Sequence, residues 1–262
     1  MLSQSKKLKI IEIYYKLLSN YDHQGWWPIK SLAGKKGFDE RGYHKGIFTY
    51  PKSREQRFEI VIGAILTQNT NWKNVEKALE NLFSSNLISP EAILSVDEKK
   101  LAEKIRPAGY FNQKAKRLKN ISLWFMKNDN ELKKLNIELI NSKKDAAKIL
   151  EARKNLLNVH GVGFETADSI LLYAYNLPIF VVDTYTKRLF RKAGLLQTRN
   201  IPHEKEYHII QDMVHSAFSD LSNEDKFKVF NEFHALIVEW GKINSKTVRN
   251  SDKEKRNLFI YA

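Results

Sequence analysis

The feature that most limits how this chain can fold is the break in its helical pattern at Gly161-Val162-Gly163. Apolar residues recur at helical spacing up to Leu157, stop at this triplet, and resume from Phe164 to Tyr175. Two glycines one residue apart permit a sharp reversal, because glycine tolerates positive φ and leaves room for close approach. The chain is therefore expected to fold back here as two helices joined by a hairpin. The first amides of the second helix find no partner inside it and point outward. That makes Gly161, Val162 and Gly163 a candidate anion site, suited to a nucleic-acid phosphate. Beyond this helix, Ile179-Phe180-Val181-Val182 runs into Asp183. A carboxylate at the inner end of a buried segment is costly unless it has a task, so Asp183 is the candidate catalytic residue. It is equally placed to N-cap a helix over Thr184–Ala193.

Helical periodicity dominates the rest. Leu8, Ile11, Tyr15 and Leu18 fall on one face of a first helix, and Phe58–Gln68 is apolar enough to be buried all round. Val75–Phe83, Leu101–Ile105, Ala115–Met126, Ala146–Leu157, Glu204–Phe218 and Lys226–Trp240 continue the pattern. Alternating runs are short and strand hairpins are missing, so the chain reads as all-α. Gly34–Pro51 has no clear period and is rich in glycine, basic and aromatic residues. It reads either as a surface loop or as a ligand-contacting loop using Lys35, Lys36, Arg41 and His44. The final SDKEKRNLFIYA is a tail or a last docking helix.

At 262 residues the chain can bury one large core or two small ones, and its 42% hydrophobic content is that of an ordinary globule. A net charge of +14 favours a polyanionic partner, although abundant lysine, asparagine and isoleucine also point to genome composition. Cysteine is absent, which excludes disulfides, cysteine-bound zinc and an iron–sulfur cluster. The basic, amphipathic N-terminus lacks a signal peptide's apolar core, and no run is long enough to span a bilayer. A cytoplasmic location with no membrane partner is expected. His44, the Glu204/His208 pair and Glu232 with His234 show no metal-ligand spacing, so no catalytic metal is expected.

Three further segments carry chemistry. Ile65-Leu66-Thr67-Gln68-Asn69-Thr70 ends the buried helix in a burst of polar groups, which places Gln68 and Asn69 at a surface. In Ile105–Ala115 and just beyond, Arg106, Lys114, Lys116, Arg117 and Lys119 surround the pair Tyr110-Phe111. That mix suits phosphate neutralisation and base stacking, with Lys114 a candidate phosphate ligand. Trp26-Trp27-Pro28 reads as a core anchor or as an aromatic pocket.

Together these segments resemble the helix-hairpin-helix and Gly-Pro-Asp superfamily of DNA glycosylases, the endonuclease III-like group. Within it they are most similar to the type III 3-methyladenine DNA glycosylases, a branch without the iron–sulfur cluster. Val159-His160-Gly161-Val162-Gly163 matches the hairpin, with His160 where the family usually has proline. Val182-Asp183-Thr184-Tyr185 matches the catalytic aspartate, and Gly109-Tyr110-Phe111-Asn112-Gln113-Lys114-Ala115, within Ile105–Ala115, the family's Gly-Leu-Tyr-Asn-x-Lys-Ala turn.

The resemblance implies two helical domains with a cleft between them and the hairpin at its mouth. One domain would comprise residues 1–52 and 177–262 with the catalytic Asp183, the other residues 53–176, ending in the hairpin. It implies that Gln68 wedges into the duplex, that Tyr110 supports the opposite strand, and that Trp26 and Trp27 form the pocket for the flipped base. A base alkylated on a ring nitrogen is cationic and suits such a pocket. Lyase members of the group need a lysine where this chain has Glu165, so the resemblance implies a monofunctional, water-using DNA N-glycosylase. It further implies a monomer acting at the nucleoid on double-stranded DNA with a damaged base. A K+ or Na+ ion at the hairpin would be held by the backbone carbonyls of Leu157, Val159 and Val162. Uracil, mismatched thymine and oxidised guanine stand as alternative substrates, and a non-catalytic helix-hairpin-helix module as the alternative outside enzymes.

Overall fold

A computed structural model describes residues 2–141, 146–196 and 201–249. Its helices are α1 (Gln4–Tyr21), α2 (Arg54–Leu66), α3 (Trp72–Ser84), α4 (Pro90–Ser95), α5 (Glu98–Lys104) and α6 (Phe111–Asn141). After these come α7 (Ala146–Leu157), α8 (Phe164–Ser169), α9 (Thr184–Lys192), α10 (His203–Ala217) and α11 (Asn223–Arg249). There is no strand among the described residues. Most starts are written locally. Ser53 and Gln56 make a reciprocal capping box at α2, Asn71 caps α3, Ser89 with Pro90 opens α4, and Asp97 caps α5.

The helices pack as two groups. α1 lies against α10 and α11, and α9 against α11. In the other group α4 and α5 pack on α6, and α2 packs on α3, α6 and the segment after α8. That segment, Ile170–Ala174, is a fully buried π-helical turn that continues α8. Such a turn rotates the side chains that follow it relative to an uninterrupted α-helix. The buried face of α1 differs from the expected one. Ile10, Tyr14 and Leu17 face the core, while Leu8 and Tyr15 are exposed, because α10 and α11 meet α1 one residue round from the stripe of its most apolar residues.

α2 is buried through most of its length, as its composition predicts. Its charged residues are matched inside: Arg57 donates twice to Asp129 of α6, at 2.7 Å each, and the Tyr175 hydroxyl donates to the same carboxylate at 3.1 Å. Glu59 accepts the Lys30 and Ser31 amides. In the loop over residues 34–51, Arg41 pairs with Glu76 of α3. His44 is buried there against the carbonyls of Ile47 and Trp27. The final dozen residues lie outside those described.

A second buried ion pair joins the two sides of the hairpin. Arg153 of α7 donates to both oxygens of Asp168 of α8, at 2.7 Å each. Removing one partner of such a pair strands a buried charge. Arg153→Met is expected to lower unfolding free energy by about 3–5 kcal/mol, read as a fall in the urea midpoint. An unchanged midpoint would show that the pair does not hold the hairpin.

Candidate active site at the hairpin cleft

Asp183 is set by three neighbours in the chain. Phe180, Val181 and Val182 are buried, so Asp183 emerges from the interior at the start of α9 with 9% of its surface exposed. Its Oδ1 accepts the Thr186 amide and the Thr186 hydroxyl, each at 2.7 Å, and caps the helix. The carboxylate is thus both cap and candidate catalyst. Capping uses Oδ1 alone, and Oδ2 faces Nε2 of His234 at 3.9 Å.

Position along the chain is fixed from α10. Tyr207 accepts the Val182 amide and donates to Asp168, while Gln211 donates to the Phe180 carbonyl and to Asp168. The same carboxylate that locks Arg153 therefore anchors the segment carrying Asp183. Arg153, Asp168, Tyr207 and Gln211 did not stand out as site residues in the sequence. A readable signal existed: Asp168 is a charge just before the apolar run Ile170–Tyr175.

The hairpin forms where the glycines stand, but they do different things. Gly161 has φ +93°, and a Cβ on it would sit 2.5 Å from Cγ of Arg117, so this position requires glycine twice over. Gly163 is extended at φ −100° and has open space where a Cβ would go. It begins α8 with no side chain to cap the first amides, which leaves them for a ligand. Val162 is buried, and the Val159 carbonyl accepts its amide at 3.0 Å.

Gln68 is brought to this hairpin. Its amide nitrogen donates to the Gly161 carbonyl at 3.0 Å and to the Thr166 hydroxyl at 2.9 Å, and Arg117 donates to its oxygen at 2.5 Å. Tyr110 is 66% exposed on a turn with φ +47°, a posture that projects the ring outward. Lys114 is a correction. It is 1% exposed and donates to the carbonyls of Leu66 and Ala108 and to the Thr70 hydroxyl, at 2.7–2.8 Å. Burial, aided by Arg117, pushes its ammonium down to about 8. It faces inward because the end of α2 leaves carbonyls without helical partners. It is a clamp that holds the Gln68 loop to the Tyr110 turn, not a phosphate ligand.

The tryptophans form one aromatic cluster, although neighbours in sequence usually point apart. Trp26 and Trp27 have ring centroids 5.5 Å apart, and both meet Trp72, at 4.7 and 5.3 Å. Trp27 is 5% exposed, wedged against Gly63 and the Tyr173 ring, so it supports the cluster from behind. Trp26 is half-buried, with the Lys242 ammonium over its ring at 5.4 Å.

Glu165 lies nearer the site than a plain surface residue. It is exposed in the first turn of α8. Desolvation, reinforced by the Asp183 carboxylate and opposed by Lys187, pushes its carboxyl up to about 7. Lys187, one turn into α9, is buried, with its ammonium 3.7 Å from Glu206. Glu232, another carboxylate candidate, is structural, binding His23 and the Gln24 amide. Among the described residues no group of three or more histidine, aspartate or glutamate side chains converges as metal ligands.

With this geometry in view, similarity to known proteins is informative. The family model described as HhH-GPD superfamily base excision DNA repair protein matches residues 62–213. A Methanocaldococcus jannaschii protein named "Putative DNA repair glycosylase MJ1434" is 41% identical over 238 residues, spanning 91% of this chain and 89% of its own. Endonuclease III of Thermotoga maritima is 27% identical over 195 residues, 74% of this chain and 78% of its own. The crystal structure of H. pylori 3-methyladenine DNA glycosylase (MagIII), bound to 1,N6-ethenoadenine, superposes with a TM-score of 0.61 at 26% identity. It covers 92% of this chain and 99% of that one. A trapped endonuclease III–DNA covalent intermediate superposes with a TM-score of 0.58 at 16% identity, over 89% and 85% of the two chains, a likeness of fold alone.

Lys114→Met is expected to lower stability by about 1–3 kcal/mol, by leaving buried acceptors unpaired. The salt dependence of duplex binding should not change. A phosphate ligand would behave otherwise, its loss reducing the slope of log affinity against log salt by about 1.

Proposed function

The chain belongs to the HhH-GPD superfamily of base excision DNA repair glycosylases, and on that premise we propose that it hydrolyses the N-glycosidic bond of an alkylated purine, 3-methyladenine foremost. The observation that carries this reading is Asp183, which caps α9 with one oxygen and keeps the other for chemistry at the cleft. In the proposed step water attacks C1′ of a flipped nucleotide while the bond from C1′ to the base nitrogen breaks. The bond's electron pair leaves with the base. Asp183 stabilises the oxocarbenium-like sugar and receives the water's proton through Oδ2. A cationic alkylated base departs neutral, so no separate acid is needed.

Two further features favour this substrate and mode. Trp26 already has a cation over its ring in Lys242, the kind of interaction a methylated adenine would exploit. Glu165, where a lyase would need its amine, cannot form an imine. Gln68 would leave its hairpin seat to fill the gap in the duplex, with Tyr110 beside it. Of the triplet Gly161, Val162 and Gly163, the glycine amides would receive a phosphate, since the Val159 carbonyl holds the Val162 amide. A K+ or Na+ ion held by the carbonyls of Leu157, Val159 and Val162 would add positive charge there. We place the domain division at residues 1–52 with 177–262, against 53–176, and take the enzyme to act as a monomer on double-stranded DNA.

The test is a panel of duplexes: DNA treated with a methylating agent, and duplexes bearing uracil, a thymine mismatch or 8-oxoguanine. Release of 3-methyladenine, with no covalent enzyme–DNA adduct under borohydride, is expected. Release of uracil or thymine alone would overturn the substrate, and a trapped adduct the hydrolytic mode.

A further inference from the structure

Of the buried polar atoms without a hydrogen-bond partner, one faces the free oxygen of Asp183. His234 of α11 is 6% exposed, and its Nε2 has no hydrogen-bond partner. A buried ring nitrogen without a partner is costly, and such groups are rare unless they have a task. The other core histidines have polar atoms at hydrogen-bond distance: the ring nitrogens of His44 lie against the carbonyls of Ile47 and Trp27, and Nε2 of His215 accepts the Phe180 amide at 3.1 Å. The nearest charged group to the unpartnered Nε2 is Oδ2 of Asp183, at 3.9 Å, the oxygen that helix capping leaves free.

The second ring nitrogen bears on where the proton lies. Nδ1 of His234 is 2.7 Å from the Tyr173 hydroxyl. That hydroxyl has one proton and a second acceptor, the Asn231 carbonyl, at 3.3 Å. A Tyr173 hydroxyl that donates across the shorter contact makes Nδ1 the acceptor and leaves the ring proton on Nε2, directed at Asp183. Burial lowers the imidazole's pKa, against the pull of Asp183, so the ring is a neutral donor rather than half of an ion pair. Tyr173 belongs to the π-helical turn and is itself packed against Trp27. The aromatic cluster, the tyrosine, the histidine and the aspartate therefore form one continuous series.

We infer that His234 is a positioning residue for Asp183: its Nε2–H closes onto Oδ2 when DNA is bound and aims that oxygen at C1′, while Tyr173 fixes the donor tautomer. This rests on the hydrolase reading above. A movement of about 1 Å converts the present separation into a hydrogen bond, and catalytic hydrogen bonds are commonly long before substrate binds. His234 exchanges no proton in the reaction. It holds the group that does.

The experiment is single-turnover base release from methylated duplex by the full chain, beside affinity for a duplex carrying a tetrahydrofuran abasic analogue. His234→Phe should slow release by about 10²-fold with affinity unchanged. His234→Gln, whose amide nitrogen can occupy the place of Nε2, should regain most of the rate. Tyr173→Phe should slow release with affinity unchanged. His234→Phe at the wild-type rate, or His234→Gln no faster than a folded His234→Phe, would overturn the inference. If His234→Phe does not fold, Tyr173→Phe decides, and a full rate there overturns it. Wild-type protein that releases no base from the methylated, uracil, mismatch or 8-oxoguanine duplexes would overturn the hydrolase reading and this inference with it, whereas an active wild type with a fully active His234→Phe overturns this inference alone.

Discussion

The carboxylate of Asp168 is the point on which the site depends. It is wholly buried, and four donors from two elements converge on it: two from Arg153 of α7, and one each from Tyr207 and Gln211 of α10. A buried charge that depends on four donors is stable only where those elements are held in place, so it specifies geometry more than it adds stability. Arg153 precedes the hairpin and Asp168 follows it, which fixes the angle between α7 and α8. Tyr207 and Gln211 extend the same network to the backbone at Val182 and Phe180. The hairpin turn and Asp183 are thus held relative to one another by a single ionised group between them.

On this frame the polar residues of the site have limited freedom. Capping takes one oxygen of Asp183 and leaves the other, and its surroundings are ionisable groups from separate elements: Glu165 from α8 and His234 from α11. The Gln68 amide is fully committed to Gly161, Thr166 and Arg117, so a move into DNA must exchange those bonds for others. Lys114 keeps the loop carrying Gln68 fastened to the turn carrying Tyr110, so both present to the same side.

Much of this was legible in the sequence because it is local. The helical period, the Gly161 turn and the buried run into Asp183 each follow from neighbours along the chain. What was hidden depends on distance in sequence. Lys114 reads as a surface lysine, since nothing near it announces that the end of α2 needs a donor 48 residues away. The stripe of α1 is misread because burial follows where α10 and α11 lie. Trp27 looks like half of a pocket until Gly63 and Tyr173 are seen to enclose it. His234 is one more apolar-face histidine in a helix until the fold brings it opposite an aspartate 51 positions earlier.

The most direct test of the account separates the two duties of Asp183. Asparagine caps a helix about as well as aspartate, but it carries no charge and cannot receive a proton. Thermal unfolding and single-turnover release of 3-methyladenine should therefore be measured on wild type and Asp183→Asn together. The account predicts closely similar melting temperatures and a rate reduced by about 10²–10⁴-fold. An Asp183→Asn protein that melts like wild type and still releases the base at the wild-type rate would contradict it.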